Sequence, residues 1–121
     1  SSTALYAPTT GKWTPPDHLV TLRHAVADSR AITFVYVDRR GSRSERTVEP
    51  VGLHFWGLTW STAAWCRMRQ GWRAFRVDRM EEVRVEEPFP ALRHGGLEAY
   101  LKHVKAEVEA DGWARMRGLG Q

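Results

Sequence analysis

The chain has 121 residues, of which 42% are hydrophobic and 26% are charged. This length fits one domain, and this composition excludes a disordered tail, a collagen-like fibre and a coiled coil. No apolar run approaches the roughly 20 residues that a membrane-spanning helix needs. No signal peptide is visible, and the single cysteine, Cys66, excludes an internal disulfide, so we expect a cytoplasmic protein. Because an initiator Met is missing, we expect a piece of a longer chain.

Positive charge is concentrated in the middle of the chain. Residues 30–79 hold ten arginines, no lysine and four acidic residues, a difference of +6. Residues 80–121 hold six basic and eight acidic residues, a difference of −2. Arginine binds phosphate and other planar anions through two parallel hydrogen bonds, so the middle segment indicates an anionic partner. An arginine-rich genome would explain the same composition equally well.

Hydrophobic periodicity predicts a helix, five strands and a second helix. The first helix is expected over residues 15–29, after a flexible lead over 1–14. Period-two segments joined by short turns predict strands over 31–38, 43–55, 58–69, 72–77 and 80–87. Pro50 and Gly52 are expected to bend the second strand. The last helix is expected over 97–111 and to end at Gly112.

This order predicts a mainly β (α+β) fold: a small five-stranded barrel of the Sm or SH3-like type, with an N-terminal and a C-terminal helix. We divide the chain into the flexible lead 1–14, a barrel domain 15–90 and a C-terminal helical extension 91–121. The residues expected in the core are Ile32, Phe34, Val48, Leu53, Trp60, Ala64, Cys66, Phe75 and Val77.

Motifs for catalysis, metal binding and cofactor binding are weak. The five histidines show no HxH or HExxH spacing, and Ser61 lacks the GxSxG turn that exposes a nucleophile. Gly95 and Gly96 precede a helix without the remaining residues of a P-loop or a dinucleotide motif. The sequence therefore predicts no catalytic residue, no metal site and no cofactor, and we expect that the protein is not an enzyme.

The third predicted strand combines aromatic and basic residues. Alternation places Ser61, Trp65, Arg67 and Arg69 on one face, and the opposite face, which ends at Met68, is expected to join the core. Aromatic rings between arginines on a sheet suit stacked bases and phosphates. The pattern fits equally well with a Trp65 that packs beneath a helix and arginines that form a solvated surface.

The stretch ITFVYVDRRGSRSERTVEPVGLHFWGLTWSTAAWCRMRQGWRAFRVDRM resembles the WYL domain of bacterial transcriptional regulators. The resemblance covers roughly residues 18–88 and rests on four features in the correct order. They are the aromatic strand that ends in Tyr36, the SERTVEP block with Arg46, the segment from Trp60 and the RAFRVDRM segment from Arg73. Ser61 and Thr62 stand where the family has the Tyr and Leu of its name.

The resemblance implies a ligand-sensing domain with an Sm-like barrel, which usually follows a winged helix-turn-helix that binds promoter DNA. It also implies a nucleotide or single-stranded nucleic acid as the ligand, a basic groove that binds it, and a possible homodimer. Ser61 in place of Tyr affects the expected ligand more than the expected fold. Residues 1–13 are too short for a helix-turn-helix, so promoter DNA would be bound by an upstream domain. No membrane partner is predicted.

We therefore expect the effector-binding domain of a transcriptional regulator, with a non-catalytic dimerisation or interaction domain as the alternative. The candidate ligand-binding residues are Tyr36, Arg46, Ser61, Trp65, Arg67, Arg69, Arg73, Arg76 and Arg79. Alternation cannot place Arg73 and Arg76 on the same face of one regular strand. Of these two, Arg76 is the better candidate for a structural role because it shares a face with Asp78.

Overall fold

A computed structural model describes residues 14–119 of the chain, and it describes side chains for residues 14–113. The elements in chain order are α1 (Pro16–Asp28), β1 (Arg30–Val37), β2 (Arg43–Trp56), β3 (Thr59–Cys66), β4 (Gly71–Arg76), a 3₁₀ turn (Val77–Arg79), β5 (Met80–Pro88) and α2 (Gly96–Leu119). The prediction of a mainly β fold with five strands between two helices is confirmed. The predicted lead falls, apart from Thr14, outside the described residues.

The five strands form one antiparallel sheet in the order β4-β3-β2-β1-β5. The pairing of β2 with β3 shifts register between Pro50 and Gly52, which confirms the bend expected there. Such an irregularity increases the bend and twist of a strand. The second strand is long, at 14 residues, so it can take part in both halves of the curved sheet.

The curvature brings β4 back towards β1. Phe75 of β4 makes edge-on ring contacts with Phe34 and Tyr36 of β1, at centroid distances of 5.3 Å and 5.2 Å. The Tyr36 hydroxyl accepts a hydrogen bond from the backbone N–H of Arg76 at 3.1 Å. Within residues 14–119 the sheet order still leaves β4 and β5 as unpaired edges, so the sheet is barrel-like without being closed.

Helix α1 covers the core from one side. It begins with a proline in its first turn, where a missing N–H breaks no helical hydrogen bond. Its buried residues, Leu22 and Ala25, pack against the apolar interior of the sheet. The helix ends at Ser29, which adopts φ 52° and donates its N–H to the carbonyls of Ala25 and Val26.

Most of the predicted core is buried, and the exceptions lie near one hairpin. Ile32, Phe34, Val48, Ala64, Cys66, Phe75 and Val77 are all buried. Leu53 and Trp60 are only half-buried at the edge of this core. The prediction that they are largely buried is therefore wrong. Both lie towards the tip of the β2–β3 hairpin, which extends beyond α1 and leaves Trp56 82% exposed.

Two boundaries also differ from the prediction by more than one residue. The third strand ends at Cys66 because the chain turns there, so Met68 is 58% exposed and does not reach the core. The last helix continues past Gly112 to Leu119. A glycine inside a helix costs only about 1 kcal/mol relative to alanine, which is too little to end a helix by itself.

Cys66 provides a chemical test of the core. Its side chain is fully buried, so we expect a thiol reagent such as Ellman's reagent to label the native protein slowly and the denatured protein fast. The absorbance of the released thiolate measures both rates. Fast labelling in the absence of denaturant would show that β3 presents the opposite face to the core.

Candidate functional site

A basic cleft of about 460 Å³ opens beside the edge strand β4. Its lining residues are Tyr36, Asp38, Arg39, Arg40, Arg73, Ala74, Arg76 and Arg79. We call this set the basic cleft. Four of the nine candidate residues come together here, namely Tyr36, Arg73, Arg76 and Arg79. The other two arginines of the cleft were not predicted as site residues.

The β1–β2 turn supplies these two arginines. The Asp38 carboxylate accepts hydrogen bonds from the backbone N–H groups of Arg40 at 2.8 Å and of Ser42 at 2.9 Å. Gly41 adopts φ +83°, which a glycine takes without strain. This use of an aspartate to hold its own turn is common, and here it leaves the side chains of Arg39 and Arg40 exposed. Two consecutive arginines at a turn were the only signal in the sequence.

Arg73 and Arg76 reach the cleft from opposite faces of β4. Arg73 lies opposite Ala64 of the core-facing side, whereas Arg76 lies opposite Ser61. Because β4 is an edge strand within residues 14–119, no other described strand covers its outer side, and both arginines line one cleft there. The Arg73 guanidinium carbon lies 5.1 Å from the centre of the Phe75 ring, in a cation–π arrangement.

Arg76 is held in place by Asp78. Its guanidinium donates two hydrogen bonds to the Asp78 carboxylate, from Nε at 3.0 Å and from Nη2 at 2.8 Å. The Asp78 side chain is only 1% exposed. The hydrogen bond to Asp78 is the largest cause of a raised pKa for Arg76. The geometry therefore agrees with the structural role expected for Arg76, which forms a wall of the cleft.

The remaining cleft arginines lie in no ion pair with a carboxylate of the described residues. Within residues 14–113, none of the four guanidinium groups of Arg39, Arg40, Arg73 and Arg79 lies in an ion pair. The Nε atom of Arg79 is buried and has no hydrogen-bond partner among the described residues. A buried donor without a partner costs free energy in this conformation.

Arg67 belongs to a second arrangement, centred on Glu49 of β2. The Glu49 side chain is only 2% exposed. Its carboxylate lies 3.0 Å from Arg67 Nε, 3.1 Å from Arg93 Nη1 and 3.7 Å from His94 Nε2. We call these four residues the Glu49 cluster. The cluster joins β2 and β3 to the segment that precedes α2.

Arg67 also extends the Glu49 cluster to β5. Its Nη1 donates to the Glu87 carboxylate at 2.7 Å. This hydrogen bond is the largest cause of both a raised pKa for Arg67 and a lowered pKa for Glu87. Because Arg67 donates one hydrogen bond to Glu49 and one to Glu87, its guanidinium is held by contacts within the protein.

Trp65 packs beneath the segment that leads into α2. Its indole ring stacks on the His94 imidazole at 3.8 Å with 12° between the planes. It also meets the Trp72 ring edge-on at 5.4 Å, and Trp72 in turn contacts Tyr100 of α2. Burial raises the pKa of the Tyr100 phenol. The interpretation in which Trp65 packs under a helix agrees with this geometry.

The other three candidate residues lie apart from the basic cleft lining. Arg46 is only 7% exposed, and its Nε donates to Ser44 Oγ at 3.0 Å while Nη1 lies 3.8 Å from Cys66 Sγ. Ser61 is half-buried on β3, and Arg69 is exposed in the turn after it. The single basic face expected from alternation is therefore divided, because β3 ends at Cys66 and the sheet curves.

No three side chains of His, Cys, Asp or Glu within the described residues are close enough together to hold a metal ion. In the described part of the chain, no helix combines the length and the apolar character needed to cross a membrane.

The chain is similar to known regulators. The family model of the WYL domain matches residues 17–85. The DNA-binding transcriptional repressor CapW of Stenotrophomonas maltophilia is 33% identical over 101 residues, which cover 75% of this chain and 34% of CapW. The proteasome accessory factor B/C (PafBC) of Arthrobacter aurescens aligns with a TM-score of 0.58 and 24% identity, over 78% of this chain and 16% of that chain.

These comparisons agree with the structure in different ways. The likeness to PafBC supports the fold alone, whereas the family match covers more than half of the chain. The chain spans about a third of the length of CapW. The match includes all of β1 to β4, which carry most of the basic cleft. This chain belongs to the WYL domain family, a family of regulatory domains in transcriptional regulators.

Proposed function

We propose that this chain is the effector-sensing domain of a cytoplasmic bacterial transcriptional regulator and that its basic cleft binds a phosphate-bearing ligand, a nucleotide or single-stranded nucleic acid. The observation that carries the proposal is the convergence of five arginines on one cleft of about 460 Å³. This volume lies within the range of small-molecule binding sites. Four of these arginines are not in ion pairs within the described residues.

The chemistry of the basic cleft suits a phosphate. A guanidinium can donate two parallel hydrogen bonds to a phosphate, and such charge-assisted bonds are about twice as strong as neutral ones. Tyr36 contributes little to base stacking, since its ring is only 7% exposed and its hydroxyl already accepts the Arg76 N–H. The lining therefore supports recognition of the phosphate more than recognition of a base.

The similarity to a DNA-binding repressor supports the regulatory part of the proposal. We infer that promoter DNA is bound by another domain of the full protein, upstream of this chain. A homodimer remains a prediction. Regulation then requires that ligand binding in the cleft changes the position of the DNA-binding domain.

A dimerisation domain is the second candidate function, and one observation favours it. Helix α2 exposes an apolar stripe at helical spacing, with Leu97 46%, Leu101 56% and Val108 64% exposed. Such a stripe is typical of a helix that packs against a partner. The stripe lies outside the basic cleft, so both functions can coexist in one domain.

Binding of a fluorescein-labelled, 5′-phosphorylated thymidine pentanucleotide, followed by fluorescence anisotropy, tests the first candidate. We expect Arg39→Ala, Arg73→Ala and Arg79→Ala each to weaken binding by about tenfold or more, since a hydrogen bond to a charged group contributes about 1.5–3 kcal/mol. Raising the salt concentration should weaken binding steeply, because phosphate contacts release counterions.

Arg23→Ala is the matched control, since it removes one exposed positive charge from α1 outside the cleft. We expect binding close to that of the parent chain. Arg67→Ala should lower the melting temperature through the Glu49 cluster and change binding little. If the parent chain binds no oligonucleotide, or if Arg23→Ala weakens binding as much as Arg73→Ala, only the dimerisation candidate remains.

A further inference from the structure

A second cleft adjoins the basic cleft and is lined by more carboxylates than arginines, although Arg76 and Arg43 pair with two of these carboxylates. It has a volume of about 250 Å³ and is lined by Val37, Asp38, Arg39, Asp78, Arg79 and Glu81. We call it the mixed cleft. It shares Asp38, Arg39 and Arg79 with the basic cleft, so the two are continuous across these side chains. Five arginines and one carboxylate line the basic cleft, whereas two arginines and three carboxylates line the mixed cleft.

Carboxylates continue beyond the mixed cleft along β5. Glu81 is 49% exposed and pairs with Arg43 at 2.6 Å. Glu82 beside it is exposed and adopts φ 53°, a left-handed conformation that is uncommon for a residue other than glycine. Glu86 and Glu87 follow on the same strand. Arg43 and Arg67 partly neutralise Glu81 and Glu87, whereas Glu82 lies in no ion pair within the described residues. A ligand that leaves the basic cleft on this side therefore meets the exposed carboxylates of Glu81 and Glu82.

This charge boundary limits how a polyanion can lie in the cleft. A nucleic-acid strand that passed through the basic cleft on this side would bring further phosphates towards the exposed carboxylates of Glu81 and Glu82, whereas the Asp78 side chain is buried and neutralised by Arg76. Like charges within a Debye length of about 8–10 Å repel one another even at physiological salt. An internal segment of a strand is therefore disfavoured, whereas a strand that stops at Arg39 and Arg79 avoids the repulsion.

The number of uncommitted arginines points to the same kind of ligand. An internal phosphodiester has one negative charge and two non-bridging oxygens, whereas a terminal phosphate has about −1.5 to −2 charges and three such oxygens at neutral pH. Four guanidinium groups outside any ion pair in the described chain offer more charge and donors than one diester uses.

We propose that the basic cleft recognises a terminal phosphate, from a nucleotide or from the phosphorylated end of a single strand, and that the acidic side of the mixed cleft stops the ligand there. The proposal rests on the proposed function, because it specifies the ligand of the same cleft. Arg39 and Arg79 lie at the boundary and contact the terminal phosphate. Glu81 and Glu82 set the limit beyond which the ligand does not extend.

Anisotropy competition against the labelled pentanucleotide tests the proposal with five unlabelled competitors. They are thymidine monophosphate, a thymidine pentanucleotide with a 5′-phosphate, one with a 3′-phosphate, one with hydroxyls at both ends, and a circular thymidine 30-mer. We expect at least one phosphorylated pentanucleotide to bind tenfold or more tightly than the one with hydroxyl ends. We expect the circle, which has no end, to bind no more tightly than the pentanucleotide with hydroxyl ends.

Comparison of the monophosphate with the phosphorylated pentanucleotides distinguishes the two sources of a terminal phosphate. Monophosphate binding within about threefold of the best pentanucleotide identifies a free nucleotide as sufficient. Much weaker monophosphate binding identifies a strand end. Equal affinity of all three pentanucleotides, together with tighter binding of the circle, would overturn the inference and leave the proposed function intact. Absence of binding by every competitor and by the labelled probe would overturn both.

A double variant tests the role of the carboxylates beside the mixed cleft. Glu81→Gln/Glu82→Gln removes two carboxylates from the mixed-cleft side, and we expect it to tighten binding of the circle by about tenfold without weakening the phosphorylated pentanucleotides. Glu98→Gln/Glu109→Gln is the matched control, since it removes two exposed carboxylates from α2. An equal gain in both double variants would mean that net charge alone explains the effect and would overturn the role given to the boundary.

Discussion

Replacement of Phe75 by alanine is expected to cost about 3–5 kcal/mol of folding free energy, which is a large part of the stability of a domain of this size. The Phe75 ring is fully buried and contacts the rings of Phe34 and Tyr36. These contacts hold β4 against β1 across the unclosed part of the sheet. Urea denaturation followed by tryptophan fluorescence measures the loss.

Trp60→Ala is the informative comparison. Sequence patterning alone gives Trp60 a central place in the core, but the ring is only half-buried and packs beside Phe55 near the hairpin tip. We therefore expect a smaller loss of stability than for Phe75→Ala, although the side chain is larger. A loss for Trp60→Ala equal to or greater than that for Phe75→Ala would show that the hairpin is more tightly packed than the structure indicates.

Replacement of Glu49 by alanine is expected to cost about 2–4 kcal/mol, because it removes the carboxylate shared by two arginines and a histidine. The loss should be smaller than for a fully buried ion pair, since Arg67 and Arg93 are 31% and 44% exposed and can be rehydrated. Thermal unfolding followed by circular dichroism measures the change. Hydrogen exchange should also become faster in residues 88–100.

Two further variants test whether the Glu49 cluster acts as a unit. In an Arg93→Ala background, Glu49→Ala should cost less than in the parent chain, because one of its partners is already missing. Glu45→Ala, which removes an exposed carboxylate of β2 that lies 3.7 Å from Arg84, should change stability little. Additive effects of Glu49→Ala and Arg93→Ala would contradict the cluster, and so would an equal loss from Glu45→Ala.

The fold was predictable because four of its five strands have no more than nine residues and because short turns join the strands in sequence. Alternation in β1 places Ile32, Phe34 and Tyr36 on the core side, and all three are buried. The turns also contain residues that favour turns: the Asp38 carboxylate accepts two backbone hydrogen bonds within the β1–β2 turn. The end of α2 was less predictable. The single glycine at position 112 does not end the helix, because the cooperative hydrogen bonding of the other turns outweighs its unfavourable helix propensity.

The candidate site was predictable only in part. Alternation describes one regular strand, so it cannot show that the free edge of β4 brings Arg73 and Arg76 into one cleft. The sequence DRRG reads as an ordinary turn, so nothing in it indicated that Arg39 and Arg40 line the cleft. The Glu49 cluster joins residues 44 positions apart, and no local pattern contains that information.

Helix α2 has a mechanical consequence that follows from its length and its attachment. At 1.5 Å per residue, its 24 residues span about 36 Å. The segment just before it is fixed to the sheet by Arg93 and His94, and Tyr100 anchors its first turns against Trp72. The base of the helix is thus held near the Glu49 carboxylate. A rotation of about 10° at this base would displace the far end by about 6 Å, which is about the rise of one helical turn.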